Sequence, residues 1–182
     1  MTTPATPVWE NRSTNLPNEP GCSNGNDPFA VQGGYDLVVA VKPDNENVVY
    51  LGGTNAYRST DGFATNTNTT RIGGYATAAG YALYTNSHPD IHAFAFQPGS
   101  AIIMLCGNDG GIQRTTDVTA ATVAWTQLNS GFRTYQYYYV DIDPRVGNDK
   151  VIGGAQDNGS SRNVGGTGVN FEIVTGGDGV SV

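Results

Sequence analysis

Three stretches of this chain follow one plan, and that internal repeat limits the possible folds more than any other feature. Each has an apolar or alternating strand, a turn built on proline, a second strand ending in Gly-Gly or Gly-Asn, then a polar turn. The copies read YDLVVAVKPDNENVVYLGGTNAYRSTDGF (35–63), HAFAFQPGSAIIMLCGNDGGIQRTTD (92–117) and YYYVDIDPRVGNDKVIGGAQDNG (137–159). Aligned on Pro43, Pro98 and Pro144, they are spaced 55 and 46 residues apart. That length suits a four-stranded propeller blade with its loops better than a solenoid rung.

The physics of the plan is local. Runs such as VVAVKP and AFAFQP mark strands buried on one or both faces. Proline ends each ladder because it has no N–H to donate. The turn after Pro43 returns the chain into VVYLGG as a hairpin, and Tyr57-Arg58-Ser59 supplies a third strand ending at the turn dipeptide Asp61-Gly62. Trp125-Thr126-Gln127-Leu128 reads as an outer strand, and no segment reads as a helix. The predicted fold is all-β, with about three four-stranded blades of a β-propeller near 35–87, 88–131 and 132–182. Residues 1–34 read as a loop-rich segment with one short strand near Val8-Trp9. The closing GGDGVSV stops as a strand begins, so the chain is expected to be a fragment of a larger ring, or to complete one by self-association.

Composition narrows the class. Only 14% of residues are charged, Lys42 and Lys150 are the sole lysines, and glycine and tyrosine number 25 and ten. Such a chain fits an extracellular all-β domain. A net charge of −7 argues against a nucleic-acid surface, which needs clustered Lys and Arg. No run reaches the ~20 apolar residues of a membrane span. The start, MTTPATPVWENRS, lacks the basic and apolar regions of a signal peptide, so a secreted or cell-surface location implies an export signal outside this chain. Cys22 and Cys106 either form one disulfide or remain thiols, Cys106 then being a small buried hydrophobe.

With these motifs in view, the chain resembles the BNR/Asp-box, sortilin-like β-propellers of secreted bacterial proteins, often labelled glycosyl hydrolases. The resemblance runs from about Gln32 to Val182 and rests on QGGYDL, YLGGTNAYRSTDGF, HPDIHAFAFQP, GNDGGIQRTTD, GGAQDNG and GGDG, in that order. The Asp-box itself, Ser-x-Asp-x-Gly-x-x-Trp, survives in part at Ser59-Thr60-Asp61-Gly62 and more weakly at Thr115-Thr116-Asp117. Both copies depart from the consensus, Trp125 arriving late through an insertion. The resemblance implies a propeller fold and carbohydrate-related work.

Chemistry-bearing residues fall in a few places. In His88-Pro89-Asp90-Ile91-His92, strand alternation would put His88, Asp90 and His92 on one face, a set able to hold a metal ion. Pro89 could equally break that alternation and leave the histidines to bond backbone. The loops at Asn108-Asp109, Gln156-Asp157-Asn158 and Asp178 offer oxygens on glycine-tight turns, as calcium prefers. Asp109, Asp157 and Asp178 are therefore the candidate calcium ligands, although the same residue types simply stabilise tight turns. Asp90, Asp109, Asp157 and Asp178 are the candidate acids for glycoside hydrolysis, which needs two carboxylates roughly 5–10 Å apart. His88, His92, Asn108, Gln156, Asn158 and Tyr135 are the candidate ligand-binding residues, Tyr135 opening a tyrosine-rich run where a sugar could stack or strands could pack. Seven scattered arginines speak against sialidase chemistry.

These features favour a secreted or cell-surface propeller module that recognises a glycan or protein. A glycoside hydrolase and a structural unit pairing through open sheet edges are the alternatives.

Overall fold

The computed structural model describes residues 6, 8–17, 29–77, 80–131, 135–163 and 171–179. Among them twelve strands form three four-stranded antiparallel sheets, each with its strands side by side in chain order. The first holds β1 (Val38–Lys42), β2 (Asn45–Gly52), β3 (Ala56–Ser59) and β4 (Thr69–Gly73). The second holds β5 (Ile91–Phe96), β6 (Met104–Asn108), β7 (Gly111–Thr115) and β8 (Thr126–Gln127). The third holds β9 (Tyr137–Ile142), β10 (Val151–Ala155), β11 (Gly159–Asn163) and β12 (Phe171–Thr175). Helix among the described residues is confined to two 3-10 turns, Ser13–Asn15 and Gln32–Gly34. The chain is thus almost all β.

Two compact units divide it, Met1–Leu128 and Asn129–Val182. In the first unit, two sheets bury one core between them. Val38, Ala40 and Tyr50 of the first sheet meet Phe94, Phe96, Met104 and Cys106 of the second. The Tyr50 ring sits edge-on to Phe96, with centroids 5.6 Å apart. Close approach depends on Gly52, where a Cβ would lie 2.6 Å from Val38 Cγ1 and 2.7 Å from Ile91 Cγ2. The Trp125 indole donates to the Ile72 carbonyl at 2.6 Å and so ties the strand-8 segment to β4.

The two sheets are also joined by a buried cation. Arg58 on β3 is 7% exposed and donates through Nη1 to the carbonyls of Val118 (2.6 Å) and Ala120 (2.9 Å), just beyond β7. Those carbonyls stand on a turn that both sheets repeat. After β3, Ser59 Oγ receives the Phe63 N–H at 2.8 Å, while Asp61 accepts from Thr65 and Asn68. After β7, Thr115 Oγ1 receives the Asp117 N–H and Asp117 accepts from the Thr119 N–H.

The first turn has a clamp of its own, contributed by the N-terminal segment. Arg12 Nη1 donates to Gly62 O at 2.8 Å, and the Asn15 amide donates to the carbonyls of Phe63 and Ala64 at 2.9 Å each. The strand expected near Val8-Trp9 is not formed. Both side chains are over 90% exposed, and no strand edge pairs with them.

Cys106 is a free, fully buried thiol, and burial pushes its pKa up to about 12. Cys22 lies outside the described residues.

Candidate functional site

In the first unit, polar side chains from three separate segments gather at the end of the sheets where β1 and β5 begin. The QGG turn contributes Gln32 and leads into Tyr35 and Asp36, and the HPD segment supplies Asp90 and His92. Asp109 stands on the β6–β7 turn.

The backbone of this corner is shaped for the purpose. Gln32 and Asp90 both adopt left-handed conformations (φ 43° and 63°), rare for residues with a Cβ and concentrated at functional positions. The positive φ of Asp90 follows from its anchoring. Its N–H donates to Thr54 O at 3.0 Å, and the next N–H, Ile91, donates to Gly53 O at 2.8 Å. These two bonds pin the entry to β5 against the end of β2.

Side chains then link up. His92 Nε2 lies 2.5 Å from Asp109 Oδ1, and the Tyr35 hydroxyl donates to the same carboxylate at 3.2 Å. Tyr35 also meets the His92 imidazole edge-on, with centroids 4.9 Å apart. Gln32 Nε2 donates to Asp90 Oδ1 at 2.6 Å and to Asp36 Oδ2 at 3.3 Å, so one amide serves two carboxylates. Asp36 is fully buried. Thr54 Oγ1 supplies a further contact to Oδ2 at 3.3 Å, while Oδ1 has no hydrogen-bond partner among the described residues. A carboxylate oxygen left so is a cost to the fold that sites commonly carry. One oxygen of Asp90 and one of Asp109 lie within 4.8 Å of each other. At that spacing two carboxylates can flank one hydroxyl, one cation or one glycosidic bond.

The expected one-face arrangement of His88, Asp90 and His92 is not what forms. β5 starts only at Ile91, Asp90 has left-handed backbone, and the register shifts between Ile91 and Ala93. Alternation therefore fails on both sides of Asp90. His88 Nδ1 instead faces the Pro89 carbonyl at 3.1 Å, while His92 goes to Asp109. Asn108 is buried at the end of β6. Its amide pairs reciprocally with Gln113 at 2.7 and 2.9 Å, donates to His88 O and receives the Gly110 N–H. It holds the turn that presents Asp109. Gly110 completes the fit, since a Cβ there would lie 2.5 Å from His88 Cβ.

In the second unit, the loops carrying Asp157 and Asp178 meet each other. The Asp157 N–H donates to Asp178 Oδ1 at 3.0 Å, Gly159 N–H to Gly177 O at 2.7 Å, and Gly179 N–H to Ala155 O at 3.0 Å. Asp178 thus caps the β10–β11 turn. Asn158 donates to Gln156 O at 2.8 Å, and the Gln156 N–H donates to Gln136 O at 3.0 Å. Tyr135 stacks on Tyr137 with centroids 6.0 Å apart, and Tyr137 shares a hydrogen bond with Ser161. Tyrosine–tyrosine contact here is the packing role open to that run.

Gln32, Tyr35 and Asp36 escape notice in the sequence. Their signal was the QGGYDL motif, which counted there only toward the family resemblance. Searches of this chain against protein-family models, curated proteins and solved structures find no match.

Proposed function

We propose that the chain is part of a BNR/Asp-box-type β-propeller, secreted or displayed at the cell surface, that recognises a glycan through the corner built by Gln32, Tyr35, Asp90, His92 and Asp109. The observation that carries this reading is their convergence from three segments onto one end of two packed sheets. Carboxylates, an amide, a phenol and an imidazole in that arrangement are the groups that take sugar hydroxyls in pairs, and the Tyr35 ring adds a surface for a sugar face. The blade reading is supported by the meander order of each sheet, by the face-to-face packing of the first two, and by the Asp-capped turns at Asp61 and Asp117.

A glycan array probed with the chain and with Asp109→Asn tests the reading. The wild type should retain a defined set of glycans. The variant should bind them at least tenfold more weakly with its thermal unfolding unchanged. A blank array, or equal binding by both, would overturn it and favour a protein ligand. Repeating the array with a calcium chelator shows whether the carboxylates work with a cation.

One observation supports a second reading, a glycoside hydrolase. Oxygens of Asp90 and Asp109 lie within 4.8 Å of each other, which is compatible with the ~5–5.5 Å between carboxyl groups of retaining enzymes. Hydrolysis of a retained glycan, abolished in both Asp90→Asn and Asp109→Asn, would establish it.

A further inference from the structure

Asp36 is fully buried, yet among the described residues its carboxylate has only neutral partners. The Gln32 amide and the Thr54 hydroxyl each reach Oδ2 at 3.3 Å, and Oδ1 has no hydrogen-bond partner there. Two long bonds to neutral groups offset little of the cost of taking a carboxylate out of water. Buried carboxylates are ordinarily paired with a cationic side chain or bound to a metal ion.

The same amide leads to a second carboxylate. Gln32 Nε2 also donates to Asp90 Oδ1 at 2.6 Å, so oxygens of Asp36 and Asp90 converge on one nitrogen. The partial positive charge of that NH2 group stands where a full cation would bind. Asp109 extends the set, since one of its oxygens lies within 4.8 Å of an Asp90 oxygen. Calcium holds its oxygens at roughly 2.3–2.6 Å, so two ligands of one ion are at most about 5 Å apart. All four side chains belong to the first unit. Their ligand atoms are oxygens alone, which favours a hard ion over zinc. They come from irregular backbone, which suits calcium better than the strict octahedron of magnesium.

We infer that Asp36, Asp90 and the Gln32 amide hold a calcium ion, with Asp109 as a further oxygen ligand. Binding needs one local change, in which the Gln32 amide turns over and presents Oε1 in place of Nε2. The ion then supplies the positive charge between the two aspartates and a partner for Asp36 Oδ1. Gln32 and Asp36 precede β1, and Asp90 precedes β5, so the ion ties together the entries to the first two sheets. The inference does not rest on the glycan reading, because the ion binds with no sugar present.

Isothermal titration calorimetry tests it on the full chain, stripped with a chelator and then titrated with calcium chloride. One ion should bind per chain, with a Kd of about 10⁻⁵–10⁻³ M. Calcium at about tenfold over that Kd should raise the midpoint of thermal unfolding by about 4 °C. Asp36→Asn keeps the shape of the buried side chain and removes its charge, and should weaken binding by about tenfold or more. Gln32→Leu, at an exposed position, removes the amide oxygen and should weaken it by about fivefold. A wild-type chain that takes up no calcium overturns the inference. Binding unchanged in Asp36→Asn also overturns it, since the ion then sits on other carboxylates. Should that variant not fold, unchanged binding in Gln32→Leu has the same force.

Discussion

Arg58 donates to the carbonyl of Val118 at 2.6 Å across 60 residues of chain, and this contact locks the first two sheets together. A charged donor bonded to one buried and one part-buried carbonyl contributes more than an ordinary hydrogen bond. Its removal leaves the carbonyls of Val118 and Ala120 without that donor. Arg58→Ala should lower the stability of the first unit by about 2–3 kcal/mol, read by urea unfolding. Arg58→Lys should recover only part of that, because its ammonium ends one bond short of the Nη1 that reaches both carbonyls.

Gly52 gives a second test of the same interface. A methyl group there meets Val38 and Ile91 at less than 3 Å. Gly52→Ala should therefore push the sheets apart and cost about 1–3 kcal/mol, as overpacked cores do. An Ala at Gly99, which has open space around it but a φ of +79°, should show only the cost of its backbone conformation.

The repeated turns predict an acid sensitivity. Hydrogen bonds from Asn68, then Thr65 and Ser59, hold the Asp61 carboxyl far below the usual carboxylate range, and Thr119 lowers Asp117 likewise. A carboxylate depressed in the folded state binds its proton more readily when unfolded. Its stabilisation is thus complete above the unfolded value near 4, and fades as pH falls toward the folded one. Between pH 5 and 2 the wild type should lose stability more steeply than Asp61→Asn, measured by urea unfolding at each pH.

Most of the architecture was legible in the sequence because it is written in local signals. Proline-ended strands, the Gly-Gly strand ends and the Asp-Gly turns each act over a few residues, and all three copies became four-stranded sheets. The candidate site was legible only in part. His92, Asp90 and Asp109 were found by residue type, but alternation misplaced His88, because a left-handed Asp90 and a register shift are tertiary outcomes. Arg58 was read only as one of seven scattered arginines, because its role depends on which carbonyls the neighbouring sheet offers. Val8 and Trp9 had strand-like character but no edge to join.

Gln32 separates stability from function. Its left-handed backbone is one that glycine adopts without strain, while its amide joins Asp90 to Asp36. Gln32→Gly should cost no more than about 1–2 kcal/mol of unfolding free energy, since relief of backbone strain offsets part of the lost bond to buried Asp36. Glycan retention on the array should fall.

The chain has only two histidines, so its imidazole nitrogens can be followed individually by NMR. The most direct measurement is a titration of the nitrogen-15-labelled chain with the glycan best retained on the array. The account predicts that the His92 ring signals shift in step with occupancy, because Nε2 contacts Asp109, while the His88 ring, turned toward Pro89 O, changes little. Saturable binding that leaves His92 unmoved would contradict it, and place the ligand elsewhere on the molecule.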